Sequence, residues 1–163
     1  VITDVLIEHP WWSPTVLAAM VVLGPLVGRW LVPRPSVAWG LAAASVVPLL
    51  LLTLVPVDRE VFERCQLAWA VPTPTRVELM ANVVLFVAPV YFVAVAMRRP
   101  LVALLIGTTV SVGIEVLQAA VLAIGRSCDT TDWLSNTIGA AIGAGIGWSA
   151  LGLARRRGAV GAG

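Results

Sequence analysis

The stretch SVGIEVLQAAVLAIGRSCDTTDWLSNTIG, residues 111–139, joins two apolar helical segments through a polar turn. It carries Glu115 and Gln118 three apart, then Gly125-Arg126, Asp129, Asp132, Asn136 and Gly139 at fixed offsets. A charged side chain near the centre of a membrane helix costs about 3 kcal/mol on insertion scales, so an ionisable residue at that depth marks a functional site with a partner nearby.

The flanking sequence makes a bilayer the relevant solvent. The 163-residue chain is 59% hydrophobic and 12% charged, with a mean hydropathy of +0.93, whereas a soluble domain carries roughly 25% charge. Five stretches reach the about 20 apolar residues that a span needs: Trp11–Val32, Val37–Pro56, Leu79–Met97, Leu101–Ile124 and Trp133–Leu153. The predicted fold is an all-α integral membrane protein, a bundle of five transmembrane helices forming one polytopic domain over 1–163. The first stretch follows Asp4, Glu8 and His9 rather than a basic segment, so it reads as a permanent span and not a cleaved signal.

Charge predicts the orientation, because cytoplasmic loops collect basic residues near helix ends. One side holds seven arginines, Arg29, Arg34, Arg98, Arg99 and Arg155–Arg157, and no acid. The other holds eight acids (Asp4, Glu8, Asp58, Glu60, Glu63, Glu78, Asp129, Asp132) against four arginines, Arg59, Arg64, Arg76 and Arg126. The N-terminus is therefore expected outside, the C-terminus inside, and the polar turn on the exterior. Tryptophans belong at headgroup level, and Trp11, Trp12, Trp69 and Trp133 mark the outer belt, with Trp30, Trp39 and Trp148 towards the inner one. All eleven basic residues are arginine, which reads as the genomic bias of a GC-rich bacterium.

Both cysteines, Cys65 and Cys128, fall on the expected outer face, where an oxidising compartment allows a disulfide; the alternative is two unpaired small residues. In the loop 57–78, Asp58 can cap a short helix in which Val61, Phe62, Cys65 and Trp69 share one apolar face, predicting an interfacial helix that breaks at Pro72 and Pro74. In the fifth span Ser135, Gly139, Gly143 and Gly147 recur every four residues, a spacing that lets backbones approach closely in lipid. Packing within the bundle is the favoured use of this face, ahead of a homo-oligomer.

Three helices are expected to direct polar groups to one outer-leaflet depression. Glu78 and Asn82 share a face of the third span; Ser111, Glu115 and Gln118 share a face of the fourth; Asp129, Asp132 and Asn136 open the fifth. Glu115 is placed about ten residues before the end of its span, roughly 15 Å at 1.5 Å per residue. Its structural reading is a carboxyl bonded to Gln118 and Ser111. Its functional reading is a group that binds a polar head or transfers a proton. Arg126 serves either as counter-ion to Asp129 or Glu115 or as a phosphate ligand, since its planar fork donates two parallel hydrogen bonds. Asp129 reads as the cap of a short turn and Asp132 as N-cap of the fifth helix; with Glu78 they also offer oxygen ligands of the kind that hold Mg²⁺ or Ca²⁺, although no metal site is assigned. No Ser-His-Asp set, Lys-bearing Gly-rich loop or Cys/His cluster is present.

Glu78-x3-Asn82, Phe86 and Pro89, Glu115-x2-Gln118 and Gly125-Arg126-x2-Asp129-x2-Asp132-x3-Asn136-x2-Gly139 resemble the VanZ-like family over about residues 76–150. The family commonly follows this proline with glycine, whereas the chain has Pro89-Val90. The resemblance implies a small protein of the bacterial cell envelope, and the namesake is associated with low-level resistance to teicoplanin, a lipoglycopeptide. The leading functional expectation is recognition or modification of an outer-leaflet amphiphile (a membrane lipid, a lipid-linked wall or teichoic-type glycan, or the lipid tail of the antibiotic itself) through Glu78, Asn82, Gln118, Arg126 and Asn136. The alternative is an intramembrane hydrolase or transferase with Glu115 as general acid or base and Asp129 or Asp132 orienting water. A small-solute transporter ranks last, because the spans lack repeat symmetry. Nothing suggests a nucleic-acid partner, and the sequence leaves the question of a cofactor open.

Overall fold

The computed structural model describes residues 8–57 and 63–160. Five long helices are apolar enough to cross a membrane: α1 (Trp12–Leu31), α2 (Pro35–Leu54), α3 (Val77–Met97), α4 (Pro100–Ala120) and α5 (Thr130–Val160). Between them lie a 3-10 turn at Leu122–Ile124 and two short strands, β1 (Cys65–Gln66) and β2 (Cys128–Asp129).

One end of the bundle is closed by tight arginine-bearing turns. Pro35 and Pro100 open α2 and α4, positions where the missing N–H costs no hydrogen bond. Arg98 ends α3 in the left-handed region, φ 55°. Arg34 donates to the Trp30 carbonyl (2.8 Å), and Arg98 to that of Val32 (3.0 Å). These bonds satisfy carbonyls left over at the end of α1 and place cations at its negative pole. Arg34 also lies 4.4 Å over the Trp30 ring.

Helix α3 is the axle of the bundle and touches all four other helices. Half of its span is buried, against 17% for α1 and α2, so the first two helices form an outer layer whose remaining surface meets hydrocarbon. The glycine stripe of α5 packs on α3. A methyl group at Gly139 would strike the Val83 carbonyl oxygen, one at Gly143 that of Val87, and one at Gly147 would lie 2.7 Å from Ala94 Cβ. Gly24 and Gly28 form a second seam, where α1 meets Ile146 and Ala150 of α5. There the buried Tyr91 hydroxyl donates to the Gly24 carbonyl at 2.7 Å. Val90 is accommodated by Gly107 of α4: a methyl added there would lie 2.5 Å from Val90 Cγ2.

Two expectations need correction. Helix α4 ends at Ala120, not Ile124, because the chain tightens into the 3-10 turn and reverses at Gly125, φ 68°. The predicted interfacial helix begins in 58–62, together with its Asp58 cap, outside the described residues. From Glu63 to Arg76 the chain contains no helix, and Cys65 and Gln66 are strand. Parallel pairing of β1 with β2, Cys65 opposite Cys128 and Gln66 opposite Asp129, overrides the helical spacing of the apolar residues.

Candidate functional site

The end of the bundle opposite the arginine turns holds a cavity of about 1090 Å³. Glu78, Asn82, Glu115, Gln118, Arg126, Asp129, Asp132 and Asn136 all line it. Its floor is Asn136, nearly two turns into α5 and only 3% exposed, whose Nδ2 donates to the fully buried Ser111 Oγ at 3.0 Å. Asn136 Oδ1 has no partner. One turn nearer the rim, Asp132 Oδ1 accepts from Asn82 Nδ2 at 2.8 Å, tying α3 to α5.

Glu115 stands one turn beyond Ser111 on α4, and its Oε2 accepts from the Asp129 backbone N–H at 2.8 Å. It is five residues from the helix end, about 7.5 Å at 1.5 Å per residue, half the expected depth. Gln118 turns away from it and donates to the Thr53 carbonyl near the end of α2 at 2.9 Å. The expected Glu115–Gln118–Ser111 network is therefore absent. Each of the three reaches a different segment, which locks α4 to α2, to α5 and to the loop before α5.

Asp129, not Asp132, caps α5: its Oδ1 accepts from the Thr131 N–H at 2.7 Å, the bond an N-cap side chain makes to the first free amides. Asp132 is one turn further in and spends its oxygen on Asn82. Arg126 follows the left-handed Gly125 into the cavity wall, and its Nε is buried without a partner. Among the described residues no group of three His, Cys, Asp or Glu side chains forms a metal cage, so the oxygen set considered for Glu78, Asp129 and Asp132 is not assembled.

A strap crosses the cavity. Cys65 and Cys128 are paired at disulfide distance, Cα atoms 4.5 Å apart. The Cys128 N–H donates to the Arg64 carbonyl at 3.0 Å. Thr130 and Thr131 both donate to the Ala68 carbonyl, the latter at 2.9 Å. Trp69 meets Trp133 edge-on at 6.2 Å. This fixes Gln66 and Ala68 over the cavity. Sequence reasoning missed Gln66, Thr53 and Arg76 as lining residues. Thr53, a polar residue ending an apolar span, was a usable signal; Gln66 becomes visible only once the cysteine pairing is known.

Two residues that line the cavity carry buried polar atoms without a partner, Asn136 Oδ1 and Arg126 Nε, and several carboxylates line the same space. A buried polar group without a partner costs about 1–3 kcal/mol, a cost that a ligand presenting the complementary groups removes.

A model of the VanZ/LLP1 family matches residues 16–152, reaching into all five helices and not only the second half. No curated protein and no solved structure matches the chain.

Proposed function

The chain belongs to the VanZ/LLP1 family, and from this membership together with the cavity we propose that it is a multi-pass protein of the bacterial plasma membrane that recognises or modifies a lipid-linked amphiphile. The observation that carries this reading is the pair of buried, unpartnered groups, Asn136 Oδ1 and Arg126 Nε, on residues lining one cavity with several carboxylates. A guanidinium suits a phosphate. Hydroxyl or ammonium donors on the same head satisfy Asn136 and the carboxylates, while the tails stay in hydrocarbon. Lipid-linked wall or teichoic-type glycans have this chemistry. Teicoplanin shares the amphiphilic plan, which connects the cavity to the resistance associated with the family's namesake.

The cavity faces outward in this reading. Arg29, Arg34, Arg98, Arg99, Arg155 and Arg156 gather at the other end, which the positive-inside rule assigns to the cytoplasm. The paired cysteines are at the cavity end, and disulfides persist where the medium is oxidising.

The test is teicoplanin susceptibility, with vancomycin as control, in a sensitive Gram-positive host expressing wild type or Arg126→Gln at matched membrane levels. Selective protection by wild type alone supports the reading. Equal susceptibility with and without the wild-type protein removes resistance from its functions.

A second reading, an intramembrane hydrolase or transferase, is favoured by one detail: Glu115 Oε2 is held by the Asp129 N–H, which orients the carboxyl for proton transfer. Glu115→Gln keeps an oxygen for that N–H. Under this reading it abolishes turnover and leaves binding intact; under pure recognition it leaves the biological effect largely in place.

A further inference from the structure

Behind Glu115 lies a second concavity of about 530 Å³. One wall is a face of α4 carrying Val112, Val116, Ala119 and Ala120; the other is Trp133 with the Cys65–Cys128 pair. Glu115 and Asp129 line both this groove and the polar cavity, so this hydrogen-bonded pair forms the boundary between the two spaces. Val112 and Val116 are 45% and 62% exposed within a membrane-spanning helix, so the groove opens to hydrocarbon.

A flat apolar face is ordinary lipid-facing surface. A concave one that ends against a carboxylate shared with a polar cavity has the shape of a molecule with a head and a tail. We propose that the groove holds one acyl chain of a phospholipid whose phosphate-bearing head occupies the cavity, the glycerol ester passing between Glu115 and Trp133. This rests on the reading of the cavity as a headgroup site. The head's phosphate pairs with Arg126, and its hydroxyl or ammonium donors meet Asn136 Oδ1 and the carboxylates. An ester carbonyl at the junction gives the Trp133 indole N–H, which has no partner, an acceptor. A methylene gains little on moving from bilayer hydrocarbon to an apolar groove, since lipid tails are as apolar as the side chains. Affinity therefore comes from the head, and the groove fixes where the chain lies.

The experiment uses the full chain in lipid nanodiscs with trace phosphatidylethanolamine bearing a mid-chain diazirine. Crosslinks are mapped by mass spectrometry, and a diazirine-bearing hexadecane serves as the headless control. In parallel, water-soluble glycerophosphoethanolamine is titrated into wild type and into Ala119→Trp, which fills the groove. The expected result is several-fold more phospholipid label on Val112, Val116, Ala119 and Ala120 than on Leu117 and Val110, which are 41% and 44% exposed. The alkane shows no such preference, Arg126→Gln abolishes it, and Ala119→Trp loses groove label while still binding glycerophosphoethanolamine. Equal label on the two sets, or the same preference with the alkane, overturns the groove alone if glycerophosphoethanolamine still binds. Failure of glycerophosphoethanolamine to bind wild type overturns the headgroup reading and the groove with it.

Discussion

Asn136 engages its amide nitrogen with Ser111 and leaves its carbonyl oxygen buried without a partner. An apolar pair at positions 111 and 136 strands no polar atom, whereas changing Asn136 alone takes the partner from the fully buried Ser111 hydroxyl. Asn136→Leu combined with Ser111→Ala is therefore expected to change the melting temperature in detergent little, while teicoplanin protection or lipid binding is lost; a drop in both assigns the residue to the fold. The two simplest changes at Glu115 separate in the same way. Glu115→Gln keeps an acceptor for the Asp129 N–H, whereas Glu115→Ala strands that donor at a cost of about 1–3 kcal/mol. Denaturant titration should show stability falling for alanine only. At this scale the sequence revealed which residues are polar at depth, but not how they pair. Ser111, Glu115 and Gln118 share a helix face and so read as one network, yet a face shows only which side chains are neighbours, and their partners came from Asn136, Asp129 and Thr53 on other segments.

Between elements, the seam of α3 and α5 sets how close the cavity walls stand. Gly143→Val forces atoms against the Val87 carbonyl, and overpacking of this kind costs about 1–3 kcal/mol. Gly145→Ala, with nothing within 4 Å of the added carbon, should instead be stabilising by about 0.5–1 kcal/mol through helix propensity. Unfolding by SDS titration distinguishes these two outcomes, and equal effects refute the seam. The strap is a separate element. Its cysteines are 63 residues apart, and closing such a loop limits the unfolded chain by about 4 kcal/mol in the chain-entropy account. Cys65→Ser with Cys128→Ser is expected to lower the melting temperature and speed proteolysis between residues 63 and 70; unchanged proteolysis means that the strand pairing and the Thr131 bond hold the strap without the bridge. The sequence put both cysteines on one expected face and left their pairing open, and the strap's conformation was not legible, because local helical spacing lost to pairing with a segment 63 residues away.

For the whole molecule, hydropathy alone located the five helices, since a bilayer permits few alternatives to an apolar helix. It failed where apolar sequence continued past a turn: Val121 to Ile124 read as span, and only Gly125 signalled the reversal that brings Arg126, Asp129 and the strap back over the bundle. That reversal halves the depth of Glu115 and turns a line of polar residues into a walled cavity beside an apolar groove. The central claim is that this cavity retains the head of an amphiphile. Native mass spectrometry of wild type, Arg126→Gln and the paired Asn136→Leu, Ser111→Ala variant, released gently from the same host membrane, tests it most directly. The account predicts one retained lipid-linked species on the wild-type chain that is depleted in both variants. Identical lipid complements on all three proteins would contradict it.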